Sequence, residues 1–186
     1  MHKPRDRRAA RPMIGDPAPY GRSWWKAYAG RMPLSLKVKR VAIRCAYVGL
    51  RTYWFLARPR VVGVKCVVLN DDNVLLVRHT YGRRNWDLPG GTVKRREDPR
   101  DAARREMKEE LGRRIEDWEN LGVLFTTTDH HRDNVHLFQT HLGDRRLDID
   151  LIELAEAGWF PRDGLPPDIG PFVGRIMARA AMSTES

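Results

Sequence analysis

Between Gly91 and Gly112 the chain reads GTVKRREDPRDAARREMKEELG, and this stretch constrains the fold more than any other. Asp98 followed by Pro99 is helix-start chemistry: a side chain that caps free N–H groups, then a residue whose missing N–H costs nothing in the first turn. Gly112 is helix-stop chemistry, because glycine readily takes the left-handed conformation that closes a helix. At about 100° per residue, Glu106, Glu109 and Glu110 fall within roughly a third of the circumference, beside an arc of Ala103, Met107 and Leu111. The apolar arc requires a surface to pack on. The acidic arc requires a counter-charge, since carboxylates one turn apart repel.

A hard divalent cation supplies that counter-charge. Oxygen ligands without Cys or His favour Mg2+ or Mn2+ over zinc, and magnesium completes its shell with water and substrate phosphates. The helix therefore points to phosphoryl chemistry. Arg105 carries a fork of donors that can orient neighbouring carboxylates, and Gly90-Gly91 permits close backbone approach just ahead of the helix. Without its spacing, RREMKEE also reads as an ordinary solvated helix face.

The surroundings predict an α/β domain over about residues 61–182. Val61–Leu69 and Val74–Arg78 are compact β-branched runs separated by Asn70-Asp71-Asp72-Asn73, which is turn chemistry, so they read as a hairpin. Leu121–Phe125 and Val135–Leu142 read as strands joined by the loop TTTDHHRDN. Shorter strands are expected at Leu147–Ile152 and Ala157–Phe160, then a proline-rich connection and a closing helix over Phe172–Ala181.

The full spacing G-x5-E-x7-R-E-hydrophobic-x-E-E-x-G, from Gly91 through Glu97, Arg105, Glu106, Met107, Glu109 and Glu110 to Gly112, resembles the signature box of the Nudix hydrolases. Val74–His79 before Trp86-x-Leu88-Pro89-Gly90-Gly91 is similar to the family's approach to the box. Glu156-x-x-Trp159-Phe160 with Leu165-Pro166 is similar to its C-terminal stretch. One position departs: Arg113 stands where the family has an aliphatic residue, and Ile115 is the candidate to replace its packing. The resemblance implies a mixed β-sheet sandwiched between helices (α/β/α) and metal-dependent hydrolysis of a nucleoside diphosphate linked to another moiety. It implies Glu106 and Glu110 as direct metal ligands, Glu109 as a ligand or the activator of water, Arg105 as the group that orients the carboxylates, and Glu97 as an outer ligand. Glu106, Glu109 and a residue of the 127–133 loop are the candidate general bases. His79, Tyr81 and Trp86, with Gly90 and Gly91, are the candidate substrate contacts. Trp86 has core packing as its competing role. Lys94, Arg95 and Arg96 are candidate phosphate contacts, and Asp129 with His130 and His131 a second polar cluster.

Charge enters the argument at the N-terminus. The chain of 186 residues has a formal charge of +10, but residues 1–60 alone sum to +13 and the remainder to −3. Residues 1–33 read as a basic, disordered arm and 183–186 as a tail. Residues 34–60 read as a basic amphipathic helix with an apolar stripe through Val38, Val41, Cys45 and Val48, ended by Pro59. At 17 residues with Arg44 and Arg51 inside, Val41–Ala57 is a poor membrane span. Docking on the domain, a homodimer contact, or a membrane-surface contact are the roles it suggests, with nucleic acid less favoured. The cysteine pair and the absence of an apolar leader in the opening residues suggest a cytoplasmic chain, peripheral at a membrane surface if the helix adsorbs. Two further functions fit the basic extension: a non-catalytic binding or regulatory module on the same fold, and a pyrophosphohydrolase directed at RNA.

Overall fold

The computed structural model describes residues 33–57, 60–128 and 131–184. Its elements run α1 (Leu34–Ala57), β1 (Arg60–Asn70), β2 (Asn73–His79), α2 (Pro99–Leu111), β3 (Glu119–Thr128), β4 (His131–His141), β5 (Leu154–Pro161) and α3 (Val173–Thr184). The five strands form one mixed sheet in the order β3-β4-β1-β2-β5, with β1 parallel to β4 and the other neighbours antiparallel.

Alternation along the strands divides the core in two. Val64, Cys66 and Val68 of β1, with Leu75 and Val77 of β2, join Ala103, Met107 and Leu111 of α2. Val67, Leu69, Val74 and Leu76 join Val173, Ile176 and Ala180 of α3 in a second cluster. The sheet is thus sandwiched between helices, as expected. Ile115 is buried with the α2 cluster, filling the role left by Arg113, which instead pairs with Asp144 at 3.1 Å.

Three expectations are corrected. The loop TTTDHHRDN is mostly strand: Thr126 pairs with Asp133 and Thr128 with His131, because β-branched threonines suit a ladder whatever their polarity. Asp129 and His130 lie outside the described residues. Leu147–Ile152 is not a strand. Its donors turn to the end of α2, Asp148 N–H to the Leu111 carbonyl and Asp150 N–H to the Glu110 carbonyl, both at 2.9 Å. Helix termini leave carbonyls in need of such partners, and this segment supplies them while Leu147 and Ile149 stay buried.

The third correction concerns α1. The helix does rest on the domain, but its apolar stripe faces away from it. Leu36, Arg40, Ile43 and Tyr47 are its half-buried residues. Arg40 donates to the carbonyls of Leu151 (2.7 Å) and Leu154 (3.2 Å), and Arg44 donates to that of Thr80 (2.8 Å).

Candidate active site

Helix α2 begins and ends where its caps dictate. Asp98 accepts from the Arg100 N–H at 2.8 Å, Pro99 follows, and Gly112 closes the helix at φ 65°. Its apolar arc is anchored on the sheet, which fixes the acidic arc against the loop through Gly90 and Gly91.

That loop is shaped for carboxylates. Gly90 donates its N–H to Glu110 Oε2 at 3.1 Å, and its φ of 138° lies where side chains are rarely tolerated. At Gly91 a Cβ would fall inside the Glu106 carboxyl group. Glu106 and Glu110 are both buried, Glu110 to 2% exposure, while Glu109 one residue earlier is exposed. Burial, with Glu106 and Glu153 nearby, pushes the Glu110 carboxyl up to about 8, against the pull of the Lys65 ammonium and the Gly90 N–H. Burial raises Glu106 too, opposed by Arg105.

Arg105 ties the acids together. Nε donates to Glu97 Oε1 at 2.8 Å and Nη2 to Glu97 Oε2 at 2.9 Å; Nη1 reaches Glu106 Oε1 at 2.7 Å and Glu109 Oε2 at 3.2 Å. The Lys94 N–H also donates to Glu97 Oε2 at 2.7 Å. Glu97 is therefore held as an anion, down at about 2, chiefly by its hydrogen bonds to Arg105. With both oxygens engaged, it serves here as the clamp on Arg105.

Among the described residues no three ligating groups stand together as a ready metal cage. The donor set nevertheless fits a divalent cation that keeps waters: two buried carboxylates, with Glu106 raising the proton affinity of Glu110 and Glu109 and Glu97 raising that of Glu106. Glu153 belongs to the same negative field; burial, Asp150, Glu106 and Glu109 all raise its carboxyl.

A cleft of about 250 Å³ adjoins this cluster through Lys65 and Tyr81. Lys65 lies 2.9 Å from Asp87 and donates to the Leu88 carbonyl at 2.8 Å. Burial, then Glu153, Glu110 and Glu106, raise the Tyr81 phenol. The Tyr81 ring lies 5.1 Å from that of Tyr47 on α1 and 5.3 Å from His79. His79 is held neutral, its pKa lowered to about 4 by burial and Lys65, and its buried Nδ1 has no hydrogen-bond partner. Thr126 and Asp133 of the β3–β4 hairpin and Phe172 complete the opposite side.

The family model of the NUDIX domain matches residues 59–180. This chain belongs to the NUDIX domain family. It is 34% identical over 109 residues to the ADP-ribose pyrophosphatase of Mycobacterium tuberculosis, covering 53% of this chain and 52% of that one. It is 39% identical over 67 residues to a MutT-like protein of Streptomyces ambofaciens, covering 36% of this chain and 44% of the relative. The chain thus spans about half the length of these relatives. The crystal structure of a MutT NUDIX hydrolase from Burkholderia pseudomallei shares the fold, with a TM-score of 0.61 at 23% identity over 65% of this chain and 98% of that one.

Within the NUDIX domain, Glu97, Arg105, Glu106, Glu109, Glu110, Gly90 and Gly91 come together around the loop and α2. His79 and Tyr81 reach the cleft, but Trp86 does not. Its ring packs edge-on to Phe160 at 4.8 Å and under the Arg78 guanidinium at 4.7 Å, contacts that match the packing role set against substrate contact. Lys94, Arg95 and Arg96 are exposed beside the box loop. His131 opens β4, with Asp129 and His130 outside the described residues. Lys65, Glu153 and Tyr47 escaped the sequence reading as site residues, whereas Asp133 falls within the 127–133 loop that it singled out. Lys65 left a signal, a lone cation inside the apolar run VVGVKCVVL. Tyr47 left none, since it lies outside the matched domain.

Proposed function

We propose that the protein is a metal-dependent pyrophosphohydrolase that cleaves the diphosphate linkage of a nucleoside diphosphate joined to another moiety. The observation that carries this reading is the pinning of Glu106 and Glu110 against Gly91 and Gly90, with Arg105 holding Glu97, Glu106 and Glu109 in one array. The relatives named as an ADP-ribose pyrophosphatase and a MutT-like protein support it.

Glu106 and Glu110 would hold Mg2+ or Mn2+, which supplies charge neutralisation for the diphosphate and a lowered pKa for water. Glu109 is exposed where solvent arrives and is oriented by Arg105, so it takes the proton from the attacking water. Water oxygen bonds to one phosphorus, the bridging P–O bond breaks, and two phosphate-bearing fragments leave. The cleft receives the nucleoside portion. Tyr81 offers its ring face, with the neutral His79 ring 5.3 Å from it.

The test is a panel of nucleoside diphosphate derivatives, ADP-ribose among them, incubated with the full chain and either ion, with products identified by mass. Turnover should vanish in excess chelator and fall about a thousandfold or more in Glu109→Gln and Glu110→Gln. Activity that survives chelator or both substitutions overturns the mechanism.

A further inference from the structure

Helix α1 is amphipathic in the reverse of the usual sense. Its domain-facing side carries Leu36, Arg40, Ile43 and Tyr47, held by arginine-to-carbonyl bonds and one ring contact. At about 100° per residue, Leu34, Val38, Val41, Cys45, Val48 and Leu56 fall within about a quarter of the circumference, on the other side. All six are exposed, Leu34 at 77% and Leu56 at 75%, and a Cβ added at neighbouring Gly49 would meet nothing within 4 Å. A helix ordinarily buries such a stripe. This one is fixed to its domain so that the stripe points away.

The charges beside the stripe select what covers it. On the same geometry exposed Lys37 borders one edge of the stripe with exposed Arg51 farther round on that side, and the other edge carries no charge. No acid occurs between Asp16 and Asp71. A second copy packed stripe to stripe would bring these cations against their own counterparts, with no carboxylate in the segment to answer them. A polynucleotide would satisfy the cations and leave the valines and leucines wet. An anionic phospholipid surface satisfies both, with apolar side chains among the acyl chains and cations at the headgroups. Among the described residues no helix is long and apolar enough to cross a membrane, which leaves a helix lying in the surface plane.

We propose that α1 is an in-plane anchor for anionic membranes, its Leu34–Leu56 stripe inserted at the headgroup boundary and its opposite face carrying the NUDIX domain. The anchor is independent of which diphosphate the domain cleaves.

Co-sedimentation of the full chain with vesicles tests this, using phosphatidylcholine alone and phosphatidylcholine mixed with phosphatidylglycerol. Binding is expected to the mixed vesicles and to be at least about tenfold weaker to the neutral ones. The stripe variant Val38→Asp/Val48→Asp should lose about tenfold or more in partitioning. The border variant Lys37→Glu/Arg51→Glu should lose a similar amount, and its exposed polar sites keep the test valid should the stripe variant misfold. Both variants should retain the parent's circular dichroism and urea midpoint. Three results overturn the proposal: no binding to mixed vesicles, undiminished binding by a folded stripe variant, or a dimer in analytical ultracentrifugation that the stripe variant splits while vesicles bind neither.

Discussion

A Cβ at Gly91 would stand well inside contact distance of Glu106 Oε1, so one added carbon has to push the Glu106 carboxyl aside. Gly91→Ala is therefore expected to lower kcat by about a hundredfold, as displacement of a reacting group by about 1 Å does, while leaving α2 folded. Steady-state kinetics beside circular dichroism check this, and parent-like kcat would refute it. Glu110 predicts a pH dependence of opposite sign to that of a salt-bridged acid. Its carboxyl is raised from 4.5 to about 8 in the folded, metal-free protein. As pH rises through that window the unfolded chain releases a proton that the folded chain retains, so stability falls, by at most about 1.4 kcal/mol per pH unit. The Tm of chelator-treated protein should drop across this range, Glu110→Gln should flatten the slope, and Mn2+ or Mg2+ should restore Tm above pH 7. An unchanged slope in Glu110→Gln would assign the effect to another group. These residues were legible in the sequence because the box spacing fixes them on one short helix. Glu153 was not, because its approach depends on a segment that folds back to cap α2, which no local pattern encodes.

The caps of α2 determine where its carboxylates point. Asp98→Ala removes the acceptor for the Arg100 N–H and should cost about 1 kcal/mol, read as a lowered urea midpoint with an unchanged m-value. The boundaries of α2 and the β1–β2 hairpin could be read directly, since Pro, Gly and the Asn-Asp turn mark them chemically. The β3–β4 hairpin could not be read as far, because its Thr126–Thr128 end is polar and passes for a loop. For α1 the helix was legible but its orientation was not. Apolar periodicity says which residues share a face, and the direction of that face was decided by where Arg40 and Arg44 find carbonyls. Tyr47 rides on the same choice, bringing its ring to Tyr81. Tyr47→Ala should raise KM several-fold, about 1 kcal/mol of lost ring contact, with little change in kcat. A fall in kcat at constant KM would place Tyr47 in a different role.

Across the whole molecule, charge and chemistry are separated. The strongly basic part of the chain lies almost entirely before residue 61, and the acids that carry the proposed reaction lie after it. Among the described residues, the contacts that join the two are not neutral in their placement. Arg40 grips the carbonyls of Leu151 and Leu154, on either side of Glu153, and Arg44 grips Thr80, next to Tyr81. The family match begins at residue 59, yet the cleft includes a tyrosine twelve positions upstream of that line. The boundary that homology draws and the boundary that the pocket draws are therefore different. On the proposed function, a protein trimmed to its recognisable domain would meet its substrates with one aromatic of the lining gone and two grips released. Selectivity measured on it would describe another enzyme.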